Sequence, residues 1–183
     1  MFARTQRLML RPGWIEDAPE LSRAIGRHEV VRNLSRAPWP YTLGDAQAYL
    51  ARTVGRGEIG FLICAIEGGT SRIVGGIGIG PLGDEPHELG YWIAPDAWGR
   101  GYATEAGRAV VDLARTLGIR RIAARHAIDN PASGRVLRKL GFRPTGRVTA
   151  YHSLGRGGEV QSVEMEQMLG ECDLTDPCDR MAA

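Results

Sequence analysis

The stretch that decides the fold is Trp98-Gly99-Arg100-Gly101-Tyr102-Ala103-Thr104-Glu105. It follows an apolar, strand-like run at about residues 87–94. It leads into the strongest helical period in the chain, carried by Ala103, Ala106, Val110, Leu113, Ala114 and Leu117 and closed by Gly118. Glycines at 99 and 101 let the backbone approach a bulky anion, and the first helical N–H groups point at it with the helix dipole behind them. The same residues also suit a glycine-rich helix entry that holds no ligand. The segment alone leaves both readings open.

A second glycine pattern, Gly78-Ile79-Gly80-Pro81-Leu82-Gly83, matches G-x-G-x-x-G letter for letter. A dinucleotide fingerprint must run from a strand into a helix. This one runs into Asp84-Glu85-Pro86-His87, which is no helix, so it reads as a strand end and turn. At the first pattern a nicotinamide dinucleotide is disfavoured, because residues 119–125 are basic where an acidic ribose ligand belongs. A P-loop is disfavoured because no Gly-Lys-Ser/Thr occurs.

Outward from this core the chain alternates strands and helices. A strand over 8–11 ends at Pro12-Gly13, and residues 16–26 read as a helix with Ala18, Leu21 and Ile25 on one face. Thr42 and Asp45 fit a capping box for a helix with Ala46, Tyr49, Leu50 and Val54 inward. Strands over 60–66 and 71–79 form a hairpin about Gly68-Gly69-Thr70. After the 103–117 helix comes a strand over 121–127. Asn130 then caps a helix with Pro131 at its first position, Val136, Leu137 and Leu140 inward, and Gly141 as stop. Strands at about 146–153 and 159–168 finish the pattern. This is one α/β domain over residues 1–169, followed by a loose polar tail over 170–183.

Composition narrows the setting. The chain has 183 residues, enough for a self-sufficient core. Its net charge of +2 argues against a dedicated nucleic-acid binder, yet residues 100–156 hold 12 basic and 3 acidic residues. That basic half contains both the glycine loop and the Asn130 helix. It points to a polyanionic ligand, with Arg100, Arg135, Arg138 and Lys139 as contributors. The three cysteines lack metal-ligand spacing, and Cys64 reads as a buried thiol. No apolar stretch approaches ~18 residues and the first residues carry no signal-peptide core, so a reduced cytoplasmic setting without membrane span is expected.

Four segments in order resemble one family. Glu88-Leu89-Gly90-Tyr91-Trp92-Ile93-Ala94-Pro95-Asp96 followed by Trp98 to Ala106 looks like the acetyl-CoA motif of the GNAT N-acetyltransferases. Asn130-Pro131-Ala132-Ser133-Gly134-Arg135-Val136-Leu137-Arg138-Lys139-Leu140-Gly141-Phe142 resembles the next GNAT motif. Thr5-Gln6-Arg7-Leu8-Met9-Leu10-Arg11-Pro12 and Trp39-Pro40-Tyr41-Thr42 are similar to the branch of RimJ and RimL, the ribosomal-protein N-terminal acetyltransferases. The resemblance covers about residues 5–168 and implies a mixed, mostly antiparallel central sheet flanked by helices.

It also implies roles. Acetyl-CoA would be the co-substrate, with no metal. The backbone of Tyr91, Trp92 and Ile93 would pair with its pantetheine arm, and the N–H groups of Gly99, Arg100, Gly101, Tyr102, Ala103 and Thr104 would hold its pyrophosphate. Asn130 and Ser133 would contact the pantetheine near the thiol. The residue after the strand split would offer an N–H to the thioester oxygen. Glu88 would deprotonate the acceptor amine through water, or else pair with an arginine; His87, His126 and His152 are other bases or packed rings. Ser133 would serve the departing sulfur or simply sit in the first helical turn. Two departures from the family pattern are Trp98, where Gln or Arg is usual, and Leu137, where many members carry a tyrosine acid. Trp14, Trp39, Tyr41 and Trp92 belong to segments that line the acceptor cleft in this family. The acceptor would be an amine on a peptide N-terminus or a small molecule, and a homodimer is common in such proteins. A non-catalytic CoA-binding or sensing protein is the alternative.

Overall fold

The computed structural model describes residues 1–53, 59–82 and 85–170. Its strands are β1 (Ala3–Arg4), β2 (Leu8–Arg11), β3 (Ile59–Glu67), β4 (Thr70–Leu82), β5 (Glu85–Ile93), β6 (Arg121–Ala127), β7 (Arg143–Ser153) and β8 (Gly158–Met168). Its helices are α1 (Ala18–Ile25), α2 (His28–Val31), α3 (Leu43–Thr53), α4 (Tyr102–Thr116) and α5 (Pro131–Lys139). The strands form one sheet in the order β1-β2-β3-β4-β5-β6-β8-β7. Every neighbouring pair is antiparallel except β5 and β6, which the α4 crossover forces to run the same way.

Alternation along the strands divides the apolar residues between two faces. Phe61 and Ile63 of β3, Ile77 and Ile79 of β4, Leu89 of β5 and Ile122 of β6 pack with Ala106 and Val110 of α4 and Leu137 of α5. Leu62, Cys64 and Ile73 face the other way and meet Leu21 and Ile25 of α1 and Ala46 and Leu50 of α3. Cys64 is the buried thiol expected, and burial pushes its pKa up.

The differences from the sequence reading have local causes. α1 begins at Ala18 rather than 16, because Asp17 accepts the Trp14 N–H and both terminal nitrogens of Arg11, which winds residues 15–17 into a 3-10 turn. β7 begins at Arg143 rather than 146, because a bulge with Gly146 at φ +84° carries the strand past its irregular start. The literal G-x-G-x-x-G lies in β4 through Leu82, with no helix after it, as expected. Val54 and all of the expected 170–183 tail beyond Gly170, with Cys172 and Cys178 in it, lie outside the described residues.

Candidate active site

β5 and β6 share a single pair, Glu88 with Ala123, and part beyond it. Past that point β5 still pairs with β4 through Ile93, and β6 still pairs with β8 through Ala127. A gap between two strand edges is left in the middle of the sheet. Ala94 donates its N–H to Val74 of β4 at 2.8 Å. By alternation Trp92 turns its backbone groups toward β4 as well, whereas Tyr91 and Ile93 turn theirs toward the gap. Of the three residues expected to pair with an added strand, Tyr91 is therefore open to one with both backbone groups and Ile93 with its N–H. Trp98 explains its own departure from the family pattern: its indole N–H reaches the Ile93 carbonyl at 2.7 Å and ties the loop to the strand end.

The loop after β5 then builds the anion cradle. Gly99 and Gly101 have φ of +75° and +80°, values that L side chains rarely adopt, and Gly101 is the residue that enters α4. A Cβ at Gly99 would meet open space. Thr104 and Glu105 return their N–H groups to the Gly101 carbonyl. Those of Gly99, Arg100 and Gly101 find no backbone acceptor among the described residues, and those of Tyr102 and Ala103 lie in the helix's unsatisfied first turn. This is a nest of amides at the positive end of a 15-residue helix.

α5 approaches from the α4 side of the gap. The Asn130 Oδ1 accepts the Ser133 N–H at 3.2 Å, which leaves the amide nitrogen of Asn130 free to donate. Gly134 lets α5 sit directly on β6, since a Cβ there would lie 2.6 Å from Nε2 of His126. One contact was not foreseen from the sequence. The Tyr91 hydroxyl lies 2.7 Å from the Ser133 Oγ and 3.1 Å from the Ser133 carbonyl. Burial pushes the Tyr91 phenol up to about 12, against the opposing pull of Ser133. A hydroxyl pair thus stands beside the gap where the family tyrosine is replaced by Leu137.

On the opposite face Glu88 accepts the Arg125 Nε–H at 2.6 Å, with Nη2 at 3.5 Å from its second oxygen. The arginine pairing left open by the sequence is present. Gly90, next on that face, has open space where a Cβ would stand. The histidines lie elsewhere: His87 and His126 turn to the face opposite Glu88 by alternation, and His152 is exposed beside Glu159. Trp92 and Tyr41 pack against the α1–α3 cluster. Trp14 packs on Arg11 and near Phe2, and Trp39 meets His28 edge-on at 5.0 Å; both are half-exposed. Of the expected basic contributors, Arg100 is paired with Glu67 at 2.6 Å, whereas Arg135, Arg138 and Lys139 are exposed on α5 without an ion pair among the described residues.

A family model described as the acetyltransferase (GNAT) domain matches residues 7–143. The chain belongs to the GNAT acetyltransferase family. Among curated relatives, the uncharacterized N-acetyltransferase YoaA of Bacillus subtilis (strain 168) is 38% identical over 85 residues, 45% of this chain and 48% of that protein. This match spans about half of the relative's length. The uncharacterized N-acetyltransferase p20 of Bacillus licheniformis is 28% identical over 154 residues, 80% of this chain and 85% of that protein. A GNAT acetyltransferase structure from Bacillus anthracis superposes with a TM-score of 0.78 at 23% identity, over 92% of this chain and 99% of the other. The ribosomal-protein-S5-alanine acetyltransferase of Vibrio fischeri gives 0.74 at 17%, covering 97% and 100%. The microcin C7 self-immunity acetyltransferase MccE, in complex with acetyl-CoA and AMP, gives 0.74 at 16%, covering 90% and 93%. At these identities the structures establish the shared GNAT fold, an eight-stranded mixed sheet flanked by helices. No helix among the described residues is long and apolar enough to cross a membrane.

Proposed function

We propose that this GNAT protein transfers the acetyl group of acetyl-CoA directly to a primary amine, on a peptide N-terminus as in the RimJ and RimL branch or on a small molecule. The observation that carries the reading is the continuity of two binding devices: an unpaired strand edge in the β5–β6 gap, and a nest of free amides immediately after it. The residues fit the co-substrate. The cradle at Gly99 and Gly101 has no side chain to fill it, and Arg135, Arg138 and Lys139 supply unpaired positive charge for phosphates.

When bound, acetyl-CoA supplies an acyl group activated as a thioester. The amides of residues 99–103 would hold its pyrophosphate, whereas the Thr104 N–H expected to join them is turned back to the Gly101 carbonyl. Tyr91 and the Ile93 N–H would extend the sheet onto its pantetheine arm, and the Asn130 amide would donate near the thiol end. Glu88 faces the other side of the gap, over the open floor at Gly90, where an amine can enter. Its carboxylate would take the proton that the ammonium form must lose, through a water. Gap-facing amides just past the split would stabilise the thioester oxygen. The Ser133 hydroxyl, held by Tyr91, would donate to the sulfur as the C–S bond breaks and the C–N bond forms. Cys64 takes no part, because it is buried on a strand away from the gap.

The test is release of free thiol from acetyl-CoA, followed spectroscopically with a panel of peptides, amino acids and polyamines. Acceptor-dependent release with acetylated product supports the reading. Tight CoA binding without thiol release under any acceptor would leave only a CoA-binding protein.

A further inference from the structure

The first strands of the chain reach the cradle through one side chain that the proposed function does not use. Arg7, in the turn between β1 and β2, donates from Nη1 to the Arg100 carbonyl at 3.0 Å. Its Nε and Nη2 lie 2.8 and 2.6 Å from Oε2 of Glu105, in the first turn of α4. The Arg7 N–H and the Thr5 hydroxyl take the other oxygen of Glu105, at 2.9 and 2.6 Å. The guanidinium also lies over the Tyr102 ring, 4.9 Å from its centroid. Tyr102 in turn donates its hydroxyl to Glu67, the partner of Arg100.

This fixes one peptide plane. In a trans peptide the carbonyl and the following N–H point in opposite directions. With the Arg100 carbonyl drawn back onto Arg7, the Gly101 N–H is driven outward into the cradle. Gly101 carries no side chain and has positive φ, so its own residue type leaves the preceding peptide free to turn. Resting on the reading of the loop as the pyrophosphate site, we propose that Arg7 is a positioning residue for the co-substrate. Held by Glu105, it locks the 100–101 peptide with its N–H toward the phosphates. The fork geometry matters as much as the charge, because one guanidinium must serve a carbonyl and a carboxylate together.

The experiment compares calorimetric binding of CoA and of pantetheine, which lacks the phosphates, to the wild type, Arg7→Gln and Arg7→Lys. CoA binding by the wild type tests the site reading itself; the variant ratios test the role of Arg7. Losing one aligned, charge-assisted donor should weaken CoA about tenfold or more in both variants while pantetheine binding is unchanged. The loss should persist at high salt, and the apparent KM for acetyl-CoA should rise with kcat nearly constant. If Arg7→Lys binds CoA like the wild type, or if salt erases the Arg7→Gln defect, Arg7 acts as a diffuse charge and the proposal fails. Equal weakening of pantetheine and CoA would mean a general folding defect and would also overturn it. Should Arg7→Gln not fold, Arg7→Lys decides, with the Gly101 amide resonance reporting whether the peptide has turned.

Discussion

At Glu88 one carboxylate oxygen is committed to Arg125, and that commitment gives the residue two testable identities. As the base, it must surrender part of the ion pair to reach an incoming amine. Glu88→Gln should then lower turnover by about a hundredfold, the low end for a positioned proton acceptor, and remove the acidic limb of the pH–rate profile. If Glu88 only pins β5 to β6, Arg125→Gln and Glu88→Gln should give equal losses of melting temperature and unchanged pH profiles. Tyr91 is a different case. A phenol pushed up to about 12 keeps its proton at any working pH, so it serves as a donor to Ser133 rather than as a titrating acid. Tyr91→Phe should reduce kcat several-fold without moving the alkaline limb, as measured by the same thiol assay. Ser133 and the arginine pairing of Glu88 were both legible as alternatives in the sequence. The partners were not, because Arg125 lies 37 positions and Ser133 lies 42 positions from the residues they meet, and only the crossover through α4 brings them together.

The same limit operates on whole elements, in proportion to their length. α4 spans 15 residues and announces itself through its apolar period and the closing Gly118; α2 has four residues and β1 two, too few to show any period. α5 was legible from its ends, Asn130-Pro131 and Gly141, and the structure confirms the cap. Removing it by Asn130→Ala should cost about 1 kcal/mol and lower the melting temperature by about 2–4 °C. Gly134 tests the packing of the same helix. Inside an exposed helix Gly→Ala stabilises by up to about 1 kcal/mol. Here the new Cβ would stand 2.6 Å from the His126 ring, whose other nitrogen lies 2.9 Å from the Ala127 carbonyl. The clash wins: Gly134→Ala should destabilise by about 1–3 kcal/mol in denaturant titrations and tilt Ser133 away from Tyr91.

Over the whole molecule the net charge of +2 conceals a basic half and an acidic remainder, and the fold shows what the division does. Arg100 pairs with Glu67, Arg121 with Glu166, Arg125 with Glu88 and Arg147 with Glu164, each joining residues 100–156 to a carboxylate outside them. The separation along the chain therefore becomes interdigitation in space, which a linear charge count cannot reveal. Unpaired positive charge survives on α5, beside the gap. Four carboxylates held in ion pairs lie below their ordinary values. Burial opposes the charge of Glu105, and hydrogen bonds from Thr5 and Arg7 outweigh it; burial also opposes that of Asp17, and Arg11 and the Trp14 N–H outweigh it. Hydrogen bonds from Arg156 lower Asp129, with Arg32 adding to them, and Arg147 and Thr149 lower Glu164. A carboxylate with a folded pKa below its unfolded one contributes stability that is full above the unfolded value and lost as pH falls through the folded one. Stability should thus be level near neutrality and decline below about pH 4. Asp129 is the sharpest test, because one carboxylate takes both Arg32, just after α2, and Arg156, in the β7–β8 turn. Asp129→Asn should already be destabilised at neutral pH and lose less on acidification, so that the denaturation midpoints of variant and wild type converge as pH falls through the lowered Asp129 pKa. Parallel curves across that range would show that Asp129 contributes nothing through its charge.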